Sequence, residues 1–163
     1  MRPNDRVIVV FCMVLSLFWG TVAAEAGSLA PVKPGVRDKC PVCGMFVAKY
    51  PDWVAEIRYR DEKTVFFDGA KDLFKYFFSI QAYDPARSAD EISAIFVTEY
   101  YTITLIDARK AFFVAGSDTY GPMGRELVPF ETRKGAEEFM RDHQGKRILR
   151  FEEIAPELIS TLD

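Results

Sequence analysis

Residues 64–78 read TVFFDGAKDLFKYFF, and this stretch combines a β-strand pattern with a helical one. The first four residues are β-branched or aromatic, which favours an extended strand. Asp68 follows as a candidate N-cap, and beyond it apolar side chains recur at helical spacing. These are Ala70, Leu73, Phe74, Phe77 and Phe78. The stretch therefore predicts a strand that passes directly into an amphipathic helix.

The segments on both sides of this stretch complete one strand–strand–helix–strand unit. Residues 53–60 alternate imperfectly between apolar and polar side chains, as in a half-buried strand. The charged triplet at 61–63 predicts a turn into the next strand. After the helix and a loop, a third strand is predicted within 95–97. We therefore predict a first ββαβ unit over residues 40–98.

The second half of the chain repeats this plan over residues 99–163. Strands are predicted at three places, over residues 101–107, 111–115 and 126–130. A long loop is predicted at 116–125, between the second and third of these strands. Thr132 is the expected N-cap of a helix that ends at Asp142, and a closing strand is predicted at 146–151. These elements form a second predicted ββαβ unit.

The two predicted strand-to-helix junctions share a local signature. The sequence FFDG at residues 66–69 leads into the first helix, and PFET at residues 129–132 leads into the second. We therefore predict an α+β fold made of duplicated ββαβ units. An unrelated pair of α+β hairpins would produce similar periodicity and is the alternative.

The first 26 residues have the composition of a secretory leader. A short positive start precedes the apolar run at 7–19, which is shorter than the ~20 residues of a spanning helix. We expect cleavage after Ala26 or Ala24, with an uncleaved membrane anchor as the alternative. Cys12 lies in the middle of the apolar run, so no lipid anchor is expected. The sequence predicts export to the periplasm or another extracytoplasmic space.

The charge of the chain bears on its partners. The formal net charge is −3, without a clustered basic face, so no nucleic-acid partner is expected. Residues 27–39 are rich in proline, glycine and charge, and they predict a mobile tether that leads into a pair of cysteines.

Residues 40–45 read CPVCGM and place two thiols and a thioether within six positions. With the leader removed, Cys40 and Cys43 are the only cysteines. Thiolate and thioether are the ligands that a soft metal such as Cu(I) prefers. A closed zinc site built from cysteine and histidine alone cannot form, because the chain has a single histidine.

Two further interpretations of the cysteine pair stay open. A thiol–disulfide exchange site should sit at a helix N-terminus, whereas here the approach is proline-rich. An inert disulfide would close a very short loop and would therefore stabilise little. Soft-metal binding is favoured over both.

Three other residues are candidate ligands. Met45 follows the cysteine pair directly, and Met123 lies between a proline and a glycine in the predicted loop. The alternative for each methionine is a place in the core. His143 is the sole histidine, and its alternative is a packed residue at a helix C-terminus. No catalytic pattern other than the thiols is present, so we do not expect an enzyme.

With these residues in view, the chain resembles the NosL family, the accessory proteins of nitrous oxide reductase maturation. Four segments carry the resemblance: CPVCGM at 40–45, FDG at 67–69, GPMG at 121–124 and the tail at 130–151. They cover nearly all of the chain beyond the leader, in the expected order.

The resemblance implies a fold similar to that of the organomercurial lyase family. It also implies a monomeric, non-enzymatic Cu(I)-binding protein outside the cytoplasm, with sulfur ligands at Cys40, Cys43, Met45 and Met123 and a looser correspondence at His143. Such a protein would pass copper to the periplasmic machinery that builds a copper enzyme, docking on a membrane transporter complex. Family members are commonly lipoproteins, and this leader departs from that pattern. A thiol–disulfide oxidoreductase and a non-catalytic binding module are the alternatives.

Overall fold

The computed structural model describes residues 30–163, so the predicted leader lies outside the described residues. The strands are β1 Ala55–Tyr59, β2 Thr64–Phe67, β3 Ile92–Thr98, β4 Leu105–Asp107, β5 Phe112–Gly121, β6 Gly124–Phe130 and β7 Arg147–Arg150. The α-helices are α1 Ala70–Phe78, α2 Ile80–Tyr83, α3 Arg133–Asp142 and α4 Pro156–Ser160. Short 3₁₀ turns occur at Val47–Lys49, Pro51–Trp53, Ala89–Glu91 and Phe151–Glu153.

The strands form two antiparallel sheets. The first has the order β2-β1-β3-β4 and the second the order β6-β5-β7. In the first sheet β1 lies between β2 and β3, with β4 added at the edge, and in the second sheet β5 lies between β6 and β7. The α+β class with antiparallel sheets and few helices is confirmed.

Helix α1 packs against the first sheet because its apolar side meets the buried side of β1 and β2. The rings of Phe67 and Tyr76 lie 5.3 Å apart, and the Tyr76 hydroxyl is 3.0 Å from that of Tyr59. Both tyrosines are almost fully buried, so this hydrogen bond satisfies polar groups that burial removes from water.

Helix α1 also joins the two sheets into one core. The ring of Phe74 lies 5.4 Å from Phe113 of β5 and 5.0 Å from Phe151, which follows β7. A smaller cluster lies between α3 and the second sheet and includes Val114, Phe130 and Phe139. The first helix is therefore central to the molecule, whereas the second packs mainly on its own sheet.

The strand predicted at 101–107 is wrong in extent, and it belongs to the first sheet although its residues fall in the predicted second unit. Only Leu105–Asp107 is extended, and it pairs with β3 in the first sheet. The buried Glu99 carboxylate accepts hydrogen bonds from the backbone N–H groups of Tyr101 and Thr102, which turns the chain before the strand begins. Ile103, two residues before the strand begins, has φ 54°, a left-handed conformation that interrupts extended backbone.

The long loop predicted at 116–125 is also wrong. Strand β5 continues to Gly121 and β6 begins at Gly124, with these two glycines paired across the hairpin. Pro122 and Met123 occupy the turn, and Gly124 has φ 88°, where glycine carries little steric cost. Proline and glycine are typical of loops, but here they build a tight hairpin turn.

The described part of the predicted tether contacts the first sheet. The Val32 N–H donates to both carboxylate oxygens of Glu56 at 3.1 Å, and Arg58 Nη1 donates to the Ala30 carbonyl at 2.6 Å. Glu56 is fully buried, and this burial raises its pKa to about 7. No helix within residues 30–163 is long and apolar enough to cross a membrane.

Candidate metal centre

Residues 40–45 form a tight turn that is closed from both ends. The Cys40 N–H donates to the Met45 carbonyl, and the Gly44 N–H donates to the Cys40 carbonyl, each at 2.9 Å. Lys39 and Phe46 pair just outside the turn. Gly44 has φ 80°, a left-handed conformation that favours glycine. The turn therefore holds both cysteines in a fixed relation to each other.

The thiols meet two carboxylates from the start of α1. Cys43 Sγ donates to Asp68 Oδ1 at 3.1 Å, and Cys40 Sγ donates to Asp72 Oδ2 at 3.3 Å. One ligand atom from each of these four residues lies within 4.8 Å of the others. Asp68 and Asp72 are four positions apart, a spacing that puts both side chains on one side of a helix start.

Asp68 does not cap the helix, contrary to the prediction. Gly69 is the N-cap residue, and α1 has no side-chain cap bond of its own. The Asp68 carboxylate points to Cys43 instead, and it is 1 % exposed. A residue that local sequence assigns to helix capping is thus part of the candidate site.

The carboxylates have unused acceptor capacity. Asp68 Oδ2 and Asp72 Oδ1 are buried and have no hydrogen-bond partner. Leaving a buried carboxylate oxygen unpaired costs free energy in the absence of a compensating charge. A bound cation would supply that charge.

The environment of the thiols favours their protonated form. Burial raises the pKa of Cys40 well above its ordinary value, and the negative charge of Asp72 adds to the effect. Burial, followed by the hydrogen bond with Asp68, raises the pKa of Cys43 to about 12. A thiol–disulfide exchange site requires the opposite shift.

The hairpin turn with Met123 lies against the start of the same helix. Lys71 Nζ donates to the Met123 carbonyl at 2.8 Å, and Met123 is 43 % exposed. Met45 is half-buried in the turn that carries the thiols. The structure therefore brings the backbone of both predicted methionine ligands to this part of the molecule. Their role as ligands stays a prediction.

His143 lies in a different environment. Its Nδ1 is 3.2 Å from Asp118 Oδ1, and its ring stacks on Phe139 at 4.3 Å. Within residues 30–163, three or more histidine, cysteine, aspartate or glutamate side chains come close enough to hold a metal ion in one place only. That cluster consists of Cys40, Cys43, Asp68 and Asp72. His143 is not part of it, and its role as a ligand stays a prediction.

The two aspartates of this cluster were not among the metal ligands predicted from the sequence. The available signal was the four-residue spacing of Asp68 and Asp72 at a strand-to-helix junction. Zn²⁺ accepts aspartate oxygen as well as cysteine and histidine, so the single histidine does not by itself exclude a zinc site. With Asp68 and Asp72 included, four ligands are present in one place.

The fold and the cluster together define a class: small α+β proteins with a candidate metal centre of two thiols and two carboxylates beneath a glycine-containing turn. The family model described as NosL matches residues 31–159. The chain belongs to the NosL family.

Individual relatives agree with this assignment. The "Copper-binding lipoprotein NosL" of Stutzerimonas stutzeri is 29 % identical over 142 residues, which covers 81 % of this chain and 70 % of the relative. The crystal structure of the copper chaperone NosL from Shewanella denitrificans is similar with a TM-score of 0.66 and 27 % identity. That match covers 78 % of this chain and 96 % of the other.

Proposed function

We propose that this chain is an exported, non-enzymatic Cu(I) carrier that binds the metal at Cys40 and Cys43. The observation that carries the proposal is the convergence of both thiols with Asp68 and Asp72, within 4.8 Å of one another. The names of the relatives, a copper-binding lipoprotein and a copper chaperone, support copper as the metal.

Cu(I) is favoured because its preferred ligands are thiolates and thioethers. The two thiols would form the core of the site, with a thioether from Met45 or Met123 as an additional ligand. Both thiols must lose their protons to bind the ion, and the carboxylates of Asp68 and Asp72, which accept hydrogen bonds from the thiols, are placed to take those protons. His143 stands outside this proposed ligand set because it pairs with Asp118.

The biological role follows from the same site. A monomeric carrier outside the cytoplasm would deliver Cu(I) to the machinery that assembles a copper enzyme such as nitrous oxide reductase, through a membrane transporter complex. The shared strand–strand–helix–strand order and equivalent strand order of the two sheets support duplicated ββαβ units. The organomercurial lyase-like fold is proposed on the resemblance alone.

A competition titration tests the carrier proposal. Reduced protein competes with a chromophoric chelator for Cu(I), and the wild type is compared with the Cys40→Ala/Cys43→Ala variant. We expect the variant to lose most of its ability to withdraw Cu(I) from the chelator. Equal competition by the two proteins would overturn the proposal.

A second candidate is a Zn²⁺ site, and the position of the two aspartates favours it. Two thiolates and two carboxylates are an acceptable tetrahedral set for zinc. Titration with each metal, followed by its displacement with the other, separates the two functions. The copper proposal expects Cu(I) to displace Zn²⁺ fully, whereas retention of Zn²⁺ under excess Cu(I) favours the zinc site.

If the chain were instead a thiol–disulfide oxidoreductase, its thiols would react differently with an alkylating reagent. Its reactive thiol would have a depressed pKa, so alkylation by iodoacetamide would accelerate well below about pH 8. We expect slow alkylation of both thiols below about pH 8, because burial raises their pKa values.

A further inference from the structure

Two buried charged residues lie beside the candidate metal centre but outside it. Lys71 is 2 % exposed and Glu126 is 3 % exposed, although lysine and glutamate are seldom fully buried without partners. Lys71 lies in the first turn of α1, between the two aspartates in sequence, and Glu126 lies in β6.

Lys71 connects α1 to two distant segments. Its ammonium group donates to the Met123 carbonyl at 2.8 Å and to the Leu162 carbonyl at 3.1 Å, and Asp163 Oδ1 lies 3.9 Å away. Met123 is in the hairpin turn between β5 and β6, and Leu162 is next to the C-terminal residue. One buried amine thus ties the hairpin turn and the C-terminal segment to the first turn of α1.

Glu126 makes the second connection between the hairpin and α1. Its Oε1 accepts from the backbone N–H of Lys71 at 2.5 Å and from that of Leu127 at 2.9 Å. It therefore occupies the place of the missing cap of α1, where the first N–H groups of a helix need an acceptor. Gly69 and Gly121 leave the space for it, because a Cβ atom at Gly121 would lie 3.1 Å from Glu126 Oε2 and one at Gly69 would be closer still.

We propose that Lys71 and Glu126 act as positioning residues that hold Met123 at the metal centre. Met123 is 43 % exposed, so packing does little to fix its side chain, and its place depends on the backbone that Lys71 holds. Lys71 and Glu126 together, called the brace below, attach this backbone to the start of α1, where Asp68 and Asp72 lie. The inference rests on the proposed function, since it requires a Cu(I) ion to which Met123 contributes a thioether.

The test is a double-mutant cycle between the brace and the thioether. Cu(I) affinity is measured by competition with a chromophoric chelator for the wild type, Lys71→Leu, Met123→Ala and the double variant. We expect Lys71→Leu to lose about 10–100-fold in affinity, the usual effect of removing a group that orients a ligand. In the Met123→Ala background, Lys71→Leu should lower the Cu(I) affinity hardly at all, because the thioether is already absent.

Lys75→Leu is the matched control. Lys75 lies one turn further along α1 and pairs with Asp163, and its side chain makes no hydrogen bond or ion pair with the described residues of the hairpin turn. We expect it to bind Cu(I) like the wild type. X-ray absorption on the Cu(I)-loaded proteins should count one sulfur neighbour fewer in both Lys71→Leu and Met123→Ala, a change that general loosening would not produce.

Two results would overturn the brace. The first is wild-type affinity in Lys71→Leu or in Met123→Ala, and the second is a loss in Lys71→Leu that persists in full in the Met123→Ala background. Should Lys71→Leu not fold, Glu126→Gln takes its place in the cycle, with a smaller loss expected in the same direction. If the Cys40→Ala/Cys43→Ala variant binds as the wild type does, the carrier proposal itself fails. Loss of binding in that variant, beside an unaffected Lys71→Leu, overturns the brace alone.

Discussion

The two strand-to-helix junctions have similar sequences but different contacts. At the second junction, Thr132 caps α3 by accepting a hydrogen bond from the Gly135 N–H at 3.1 Å, and Glu131 is exposed to solvent. At the first junction, Asp68 is buried and bonds to Cys43, so α1 has no side-chain cap of its own. One junction follows the local rule for helix starts and the other departs from it.

This difference indicates which half of the molecule carries the site. Natural proteins tend to break local sequence rules where function requires it, and they compensate elsewhere. Here the compensation comes from Glu126, which reaches the N-terminus of α1 from β6. The second half therefore supplies the helix cap that α1 in the first half lacks. The four predictions below test how the two halves differ and how they depend on each other.

The largest expected effect concerns the place of α1 in the shared core. Phe74→Ala should lower the free energy of unfolding by about 3–5 kcal/mol, the usual cost of removing a buried phenyl ring. Because the buried cluster that remains still joins residues of both halves, such as Leu73 and Leu127, both halves should still unfold in one transition. Urea denaturation followed by Trp53 fluorescence and by far-UV circular dichroism measures this, and non-coincident curves would contradict it.

The second prediction compares the junctions directly. Asp68→Asn should weaken Cu(I) binding by about 10–100-fold, because it removes a charged partner of the Cys43 thiol. Glu131→Gln makes the same chemical change at the equivalent position of the second junction, where the side chain is exposed. The control should bind as tightly as the wild type in the chelator competition. Equal losses in the two variants would mean that the junctions do not differ in function.

Much of the fold could be predicted from local sequence. The predicted strand at 64–67 and the helix after it agree with β2 and α1, since strong hydrophobic periodicity fixed both. The errors arose where the outcome depends on distant partners. Strand β4 was assigned to the second half because nothing in its own residues indicates pairing with β3.

The candidate site was predictable only in part. The thiols and methionines stand out because sulfur ligands are scarce in this chain, whereas Asp68 looks like an ordinary N-cap. Its contact with Cys43 joins residues 25 positions apart, and no local pattern reports such a contact. Glu126 is a similar case, since it reaches Lys71 across 55 positions.

The third prediction uses pH to measure the replacement cap. Burial raises the pKa of Glu126 from 4.5 to about 8 in the folded protein. At Glu126 the folded state then binds more protons than the unfolded state between these values, so the stabilisation contributed by this group is complete below pH 4.5 and is lost as pH rises through 8. The slope for one such group is at most about 1.4 kcal/mol per pH unit.

Two variants separate Glu126 from Glu56, the other glutamate whose pKa is raised by burial. The pKa of Glu56 is raised to about 7, so this carboxyl is already half titrated at pH 7 and loses less of its stabilisation between pH 7 and 8 than Glu126 does. Glu126→Gln should therefore flatten the dependence between pH 7 and 8 strongly, whereas Glu56→Gln should flatten it much less. Denaturation midpoints across the pH range measure the effect, and an unchanged slope in Glu126→Gln would contradict it.

The smallest expected effect concerns the two caps themselves. Thr132→Ala should lower the free energy of unfolding by about 1 kcal/mol, because the Gly135 N–H loses its acceptor. Asp68→Ala should cost the metal-free protein less than this, since no helix N–H depends on Asp68 and one of its buried oxygens has no partner. The order of the two effects should reverse for Cu(I) affinity. Asp68→Ala should bind Cu(I) more weakly than the wild type, whereas Thr132→Ala should bind it with wild-type affinity. If Asp68→Ala destabilises the metal-free protein as much as Thr132→Ala does, Asp68 has a structural role at its junction and the contrast between the two halves disappears.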